Sequence, residues 1–149
     1  MGFTHYWYRN EHLNPTEFAA AVADCKKVCD ACTVEIAFDL DEPLLAPVFS
    51  VDLIRFNGIG EDGHETFYIP LNFDNDYRRT DDEGRLFAFC KTARKPYDDV
   101  VTACLIVFQR HLNGAFLVKS DGDFGEWKEG REICQQVLGF GIDFDPKED

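Results

Sequence analysis

Residues 89–98 of the chain are Phe89-Cys90-Lys91-Thr92-Ala93-Arg94-Lys95-Pro96-Tyr97-Asp98, and an apolar run over residues 100–107 follows at once. The run predicts a buried helix from Pro96 to about Leu112, which Asn113 and Gly114 would end. Pro96 suits the first turn of a helix, where the missing N–H would lack a partner in any case. Three cations therefore lie at the positive end of the helix dipole, in a chain whose formal net charge is −13.

This cationic segment, residues 91–97, predicts an anion site. Helix stability alone favours acids at a helix start, whereas open backbone N–H groups beside cationic side chains suit a phosphate. The segment has no glycine, so it is not a phosphate-binding loop of the Gly-Lys-Ser/Thr type. Alternatively, its cations pair with Asp98, Asp99 or the acidic loop and contribute little. The predicted ligand-binding residues here are Lys91, Thr92, Arg94, Lys95 and Tyr97.

Strands are predicted on the N-terminal side of the cationic segment. The clearest element is a hairpin with strands over residues 48–57 and 65–73, joined by a glycine-rich turn. On its first strand, Val51, Leu53 and Phe56 are expected on the apolar side. Residues 33–45 include one short strand, residues 74–85 predict an exposed charged loop, and residues 86–90 predict a short strand.

The two ends of the chain supply further elements. Residues 3–9 predict a strand, and a helix follows with Asn14 as its cap, Pro15 in its first turn and an end near Ala31. Residues 115–119 predict a strand, and residues 124–138 predict a third helix that stops at Gly139. We therefore expect an α+β fold, with one small, mostly antiparallel sheet packed as a single layer pair with two or three helices. The domain would span residues 1–142, and residues 143–149 would form a frayed acidic tail.

Two histidines and one tryptophan are further candidate site residues. On the first strand, His5 and Trp7 point to one side, and Tyr6 and Tyr8 point to the other. His5 and Trp7 are predicted to contact a ligand, because aromatic rings stack on bases; the alternative is a structural histidine. His64 is the best candidate for a general base, or else an exposed loop residue. No Ser-His-Asp set can be assembled from spacing alone.

The six cysteines do not indicate a metal site. Cys29 and Cys32 match Cys-x-x-Cys, but no second pair or suitably spaced histidines accompany them, so core packing is the expected role. The acidic turns lack the twelve-residue EF-hand pattern. No cofactor motif is present, and we expect neither a metal nor a cofactor.

Composition limits the partners. The chain has 28 Asp and Glu against 15 Lys and Arg, which argues against binding duplex nucleic acid or an anionic membrane surface. No secretory signal and no run of about 18 apolar residues is visible. We expect a cytoplasmic protein with reduced thiols, in the cytoplasm of the host cell if a phage encodes it.

Four segments resemble a known family. They are residues 1–7, residues 56–58 with 64–67, residues 89–98, and residues 120–123 with Trp127. Together they resemble a family of small uncharacterised proteins found in bacteriophages, prophages and bacterial genomes, of which the Cys-Lys-Thr-Ala-Arg-Lys-Pro-Tyr-Asp motif is typical. The resemblance covers most of the chain. It implies a phage or prophage setting and assigns no catalytic residue.

Three functions are compatible with these observations. The leading prediction is an accessory protein that sequesters a phosphorylated small molecule, such as a nucleotide signal of host defence. The cationic segment would hold the phosphate, and aromatic side chains of the first strand would hold the base. The alternatives are a hydrolase acting on a nucleotide-type ligand through His64 or His5, and an acidic inhibitor of a host defence protein. A host protein and a homo-oligomer remain open as partners.

Overall fold

A computed structural model describes residues 3–73 and 80–147. The helices are α1 (Pro15–Ala31), α2 (Asp98–Leu112) and α3 (Lys128–Leu138). The strands are β1 (Thr4–Arg9), β2 (Ile36–Ala37), β3 (Val48–Phe49), β4 (Leu53–Gly58), β5 (Phe67–Pro70), β6 (Leu86–Lys91) and β7 (Phe116–Ser120). The named strands pair antiparallel wherever they pair. Three helices and antiparallel sheets confirm the predicted α+β class.

The strands form two sheets rather than the single sheet expected. The first has the order β6-β1-β7, and in the second β4 pairs with β2 and β3 on one side and with β5 on the other. The buried guanidinium of Arg9 links the two sheets, because it donates to the carbonyl oxygens of Pro70 and Leu71. Burial alternates along β1, so His5, Trp7 and Arg9 face the interior.

Helix α2 lies at the centre of the molecule. Its residues from Val100 to Phe108 are all buried, and it packs against α1, α3 and β7. This explains why its sequence is apolar on most sides, whereas α1 and α3 bury a stripe only. In the described part of the chain, none of the helices has the length and apolar character that crossing a bilayer requires.

The helix starts show one correct and one wrong prediction. The side chain of Asn14 accepts a hydrogen bond from the Glu17 N–H at 3.0 Å, as expected of the cap of α1. Pro96, however, lies in a turn before α2, which begins only at Asp98. Asp98 and Asp99 occupy the first turn, where carboxylates complement the helix dipole.

The hairpin of β4 and β5 is present, but residues 48–57 do not form one strand. A turn at Ser50 separates β3 from β4, and these two strands then pair with each other. Val51 lies in this turn and is 66% exposed, so its predicted place on the apolar side was wrong. Of the predicted charged loop, residues 74–79 lie outside the described residues, and Arg85 pairs with Asp81 at 2.7 Å.

The C-terminal residues pack onto the domain as far as they are described. Phe144 stacks on Trp127 with ring centroids 5.3 Å apart, and Lys147 Nζ donates to the Ser120 carbonyl oxygen at 2.6 Å. The expectation of a frayed tail from residue 143 was therefore wrong for residues 143–147. Phe144 thereby covers the buried indole ring of Trp127.

The outer border of β7 is occupied by local groups. The Phe116 N–H donates to the Asn113 carbonyl, and the Val118 N–H donates to Gln109 Oε1 at 2.8 Å. The carbonyl oxygen of Ser120, on the same border, is the acceptor for Lys147. A further strand could add here only by displacing these partners.

Candidate functional site

A buried hydrogen-bond network joins the N-terminal strand, the start of α2 and the end of β7. His5 Nε2 lies 2.6 Å from Asp98 Oδ1, and His5 Nδ1 lies 2.7 Å from Ser120 Oγ. Thr92 Oγ1 donates to the same Asp98 oxygen at 2.5 Å. All four residues are buried, so each polar group is satisfied inside the protein rather than by bulk water.

The proton positions in this network follow from Ser120. Its Oγ accepts from the Gly122 N–H at 2.8 Å and from Trp127 Nε1–H at 3.1 Å. A hydroxyl oxygen has two acceptor positions, and both are filled, so Ser120 must donate its own proton to His5 Nδ1. His5 therefore carries its proton on Nε2 and donates it to Asp98.

The order Ser120, His5, Asp98 is that of a nucleophilic triad, but the arrangement does not favour catalysis. Ser120 is only 4% exposed, and no lone pair of its Oγ is left to attack a substrate. The network is better described as a cross-link between three elements. Sequence reasoning missed it because its members are 115 and 93 residues apart, with no local signal.

The backbone of the cationic segment is not open. Ala93 and Arg94 have φ values of 54° and 58°, and the Lys95 N–H donates to the Thr92 carbonyl at 3.0 Å, as in a type I′ turn. The Thr92 and Ala93 N–H groups both donate to the Phe3 carbonyl oxygen, at 3.0 and 3.1 Å. The prediction of open amide groups was therefore wrong for Lys91, Thr92, Ala93 and Lys95.

The side chains of the segment do not converge either. Thr92 and Tyr97 are buried, and the Tyr97 hydroxyl donates to the Glu65 carbonyl oxygen at 2.5 Å. Burial raises the pKa of the Tyr97 hydroxyl far above its ordinary value. Four cavities in the described part of the molecule are lined by residues outside the segment.

The three cations differ in their surroundings. Arg94 pairs with Glu126 at 2.8 Å, and its guanidinium lies 4.1 Å from the centroid of the Phe3 ring. Lys91 and Lys95 are half-buried, and within residues 3–73 and 80–147 no carboxylate lies within ion-pair distance of either ammonium. Among the cations of the predicted anion site, Lys91 and Lys95 are therefore the two whose charge is not balanced by a nearby carboxylate in the described residues.

The other predicted site residues lie apart. Trp7 is 1% exposed and stacks on Phe116 in the core, so it is unavailable to a ligand. His64 is exposed, and its ring has no hydrogen-bond partner in the described part of the chain. Asn57 holds the turn before it, because Asn57 Oδ1 accepts from the His64 N–H at 3.1 Å and from the Gly58 N–H at 2.7 Å.

An aromatic face covers the outer side of the first sheet. Phe87 links the rings of this sheet, with centroid distances of 6.0 Å to Tyr6, 5.4 Å to Tyr8 and 5.8 Å to Phe89. Tyr68 of β5 also points outward and is 42% exposed, and Phe89 is 54% exposed. We call these five residues the aromatic face. The sequence indicated that Tyr6 and Tyr8 lie opposite Trp7, but not which side the helices cover.

One rim of the aromatic face is polar. The Tyr6 hydroxyl donates to Asp121, and this carboxylate raises the pKa of Tyr6 to about 12. The Thr4 N–H donates to the other oxygen of Asp121 at 3.1 Å. The aromatic face therefore has an apolar centre and hydrogen-bonding groups at this rim.

Four cysteines are buried on the helices, Cys90 is buried on β6, and Cys32 is half-buried after the end of α1. Burial raises the pKa of Cys134 and of Cys90, each to about 12, and it also raises the pKa of Cys25 and Cys104. Cys29 lies in the last turn of α1, and Cys32 follows the end of this helix. Within the residues that the structure describes, no group of three or more His, Cys, Asp or Glu side chains is arranged to hold a metal ion.

The four segments that carry the family resemblance meet around the buried network. Thr92 bonds to Phe3, His5 bonds to Ser120, and the Lys91 N–H donates to Glu65 Oε1 at 2.7 Å. Comparison of the chain with protein-family models, with curated proteins and with solved structures finds no match. The resemblance therefore stays a prediction.

Proposed function

We propose that the protein is a protein-binding module whose contact surface is the aromatic face. The observation that carries this proposal is the continuous row of rings from Tyr8 through Phe87 to Phe89, in which Phe89 is 54% exposed. Exposed, contiguous apolar groups usually mark contact sites, and tyrosine and phenylalanine are enriched in them. Sheet residues are also rigidly held, so little conformational entropy is lost when they bind.

The charge of the chain indicates a basic partner. A formal net charge of −13 attracts a cationic protein and accelerates its association, and it opposes contact with nucleic acid. In the phage or prophage setting that the resemblance implies, the partner would be a basic protein of host defence, and the module would inhibit it. This combines the third predicted function with a surface that the sequence did not identify.

The test is capture of a bacterial protein by the immobilised chain at low and high salt. Tyr68→Ser with Phe89→Ser should weaken capture at least about tenfold, because two ring anchors are lost. The matched control is Leu44→Ser with Val51→Ser, which also removes two exposed apolar side chains, 97% and 66% exposed, away from the aromatic face. The control pair should bind as the wild type does.

Two outcomes would contradict this proposal. One is capture that both double variants lose equally, since the contact would then be non-specific. The other is capture that Lys91→Ala with Arg94→Ala abolishes, since the cationic segment would then hold the ligand. Binding that is insensitive to salt would refute only the role of the acidic charge.

Nucleotide binding remains the second candidate, because Lys91 and Lys95 lack a carboxylate partner in the described residues despite 28 acids in the chain. Titration calorimetry against mono-, di- and cyclic nucleotides tests it. Heat that disappears in Lys91→Ala with Lys95→Ala would favour a sequestering function over the protein-binding one. No observation favours a hydrolase, since Ser120 is enclosed and the His64 ring has no orienting partner among the described residues.

A further inference from the structure

Two strand edges face each other across a cleft beside the aromatic face. The cleft, of about 250 Å³, lies between β5 and β6 and is lined by Thr66, Tyr68, Phe73, Phe87, Ala88 and Phe89. Strand β5 pairs with β4 and strand β6 pairs with β1, but the two do not pair with each other within the described residues. Each strand therefore turns one side of its backbone towards the cleft, although Thr80 already bridges Leu86 at the start of β6, so the open part of that edge is at Phe89.

The register shows which backbone groups of β6 face the cleft. The Lys91 N–H donates to Glu65 Oε1, and the Lys91 carbonyl accepts from the Glu65 N–H at 3.2 Å, so Lys91 faces β5. Backbone direction alternates along a strand, so Phe89, two residues earlier, also faces the cleft, whereas Cys90 faces β1. In the described part of the chain, the backbone N–H and C=O of Phe89 have no hydrogen-bond partner.

The same reasoning applies to β5. The Leu71 N–H donates to the Asp52 carbonyl at 2.8 Å, so Leu71 and Ile69 face β4, and Tyr68 faces the cleft. Within residues 3–73 and 80–147, the backbone of Tyr68 likewise has no hydrogen-bond partner. The Pro70 carbonyl, which also faces the cleft, accepts from Arg9.

The cleft is closed at both ends. Lys91 and Glu65 join the strands at one end. At the other end Arg9 of β1, which pairs with Leu86 of β6, donates to the carbonyl oxygens of Pro70 and Leu71. Arg9 and Glu65 thus fix the position of β5 relative to β6, so the two edges neither pair directly with each other nor separate. A held gap between two strand edges is a template for one extended segment.

We propose that this cleft binds an extended peptide segment of the partner by strand addition. This inference rests on the proposed function and specifies its mode. The backbone of the peptide would bond to Phe89 and Tyr68, and its alternate side chains would contact the two exposed rings. Those side chains should be apolar, and lysines or arginines should flank them, since the chain carries a net charge of −13. A second copy of this chain is a poor occupant, because the same charge makes two copies repel.

The first test uses the protein alone. Amide hydrogen exchange followed by NMR should show that Phe89 exchanges at least about a hundredfold faster than Cys90, whose amide faces β1. Equal protection of both amides would overturn the proposal, because the edge would already be occupied. The comparison needs no partner and no substitution.

The second test uses a fluorescein-labelled peptide of alternating valine and threonine flanked by lysines. Two matched peptides carry N-methyl groups on alternate backbone nitrogens, one in each register. The unmodified peptide should bind, and at least one methylated peptide should bind about thirtyfold more weakly, because two backbone bonds of roughly 1 kcal/mol each are lost. Equal binding by all three peptides would overturn strand addition.

A pair of variants separates the backbone from the side chain. Phe89→Pro removes the N–H that faces the cleft and leaves pairing with β1 intact, whereas Phe89→Ala removes only the ring. Peptide affinity should fall further in the proline variant, by about tenfold relative to alanine, with thermal unfolding as the check on folding. Partner capture that depends on the aromatic face but not on these peptides or on Phe89→Pro would refute strand addition and leave the proposed function standing. Absence of any capture would refute both.

Discussion

Replacing Ser120 by alanine tests whether the buried network is a cross-link. The substitution removes one oxygen that accepts from the Gly122 N–H and from Trp127 Nε1–H and that donates to His5 Nδ1, at 2.8, 3.1 and 2.7 Å. Three buried polar groups then lose a partner, and Ser120 is only 4% exposed, so water reaches the site poorly. Each buried group left unpaired costs about 1–3 kcal/mol. Allowing for partial relaxation, we expect a loss of about 4 kcal/mol in the free energy of unfolding.

Ser50→Ala is a matched control, since Ser50 Oγ makes the same number of bonds. It accepts from the Asp52 and Leu53 N–H groups at 3.2 and 3.1 Å and donates to the Leu53 carbonyl at 3.2 Å. Ser50 is half-exposed, so water can replace the lost hydroxyl. We expect a loss of about 1 kcal/mol. The difference between the two variants, about 3 kcal/mol, isolates the contribution of burial.

The assay is urea unfolding followed by tryptophan fluorescence, because Trp7 and Trp127 are both buried and report on the same transition. A Ser120→Ala protein within about 1 kcal/mol of the wild type would refute the cross-link and would reopen a catalytic reading, since active-site residues are often not optimised for stability. If Ser120→Ala does not fold, Thr92→Val removes a single donor to Asp98 with little change in volume. It should cost about 1–2 kcal/mol.

Three further predictions concern thiols, pH and backbone strain. In the native protein, Ellman's reagent should quickly label one thiol, that of the half-buried Cys32. All six thiols should react only in denaturant. Fast labelling of a second thiol in the native protein would contradict the burial of the other cysteines. Burial raises the pKa of Asp99 to about 6 from 3.8. Between about pH 4 and 6 the folded state therefore binds more protons than the unfolded state, so the free energy of unfolding should fall as pH rises through that window. Asp99→Asn should flatten this slope and gain about 1 kcal/mol at pH 7 in urea titrations, the figure being reduced because the side chain is half-exposed. Ala93→Gly should raise stability by roughly 0.5–1 kcal/mol, because Ala93 has a φ of 54°, which glycine adopts without strain. Gly130→Ala should lower stability, because a Cβ there would lie 2.2 Å from Thr102 Oγ1. A less stable Ala93→Gly protein or a more stable Gly130→Ala protein in thermal unfolding would contradict these expectations.

Local signals in the sequence predicted the elements well. Asn14 and Pro15 marked the start of α1, Gly139 marked the end of α3, and the glycine-rich turn marked the hairpin of β4 and β5. These features act over a few residues, where capping and turn preferences dominate. Pro96 misled because a proline that suits a first helical turn suits the preceding turn equally well.

The site could not be predicted to the same extent, because its members are distant in sequence. Alternation along β1 correctly separated His5 and Trp7 from Tyr6 and Tyr8. Which pair faces solvent depends on where the helices pack, and no periodicity within one strand contains that information. The pattern of charges along the sequence also does not predict that Arg94 pairs with Glu126, which lies 32 residues further along.

The occupied border of β7 has a consequence for assembly. Fibre growth by strand stacking needs a sheet with two accessible borders, so that each added chain offers a new border to the next. In the first sheet, Gln109, Asn113 and Lys147 already satisfy backbone groups on one of them. Addition through this sheet should therefore end after a single segment, which fixes a one-to-one stoichiometry and keeps a crowded solution of the protein from polymerising by this route.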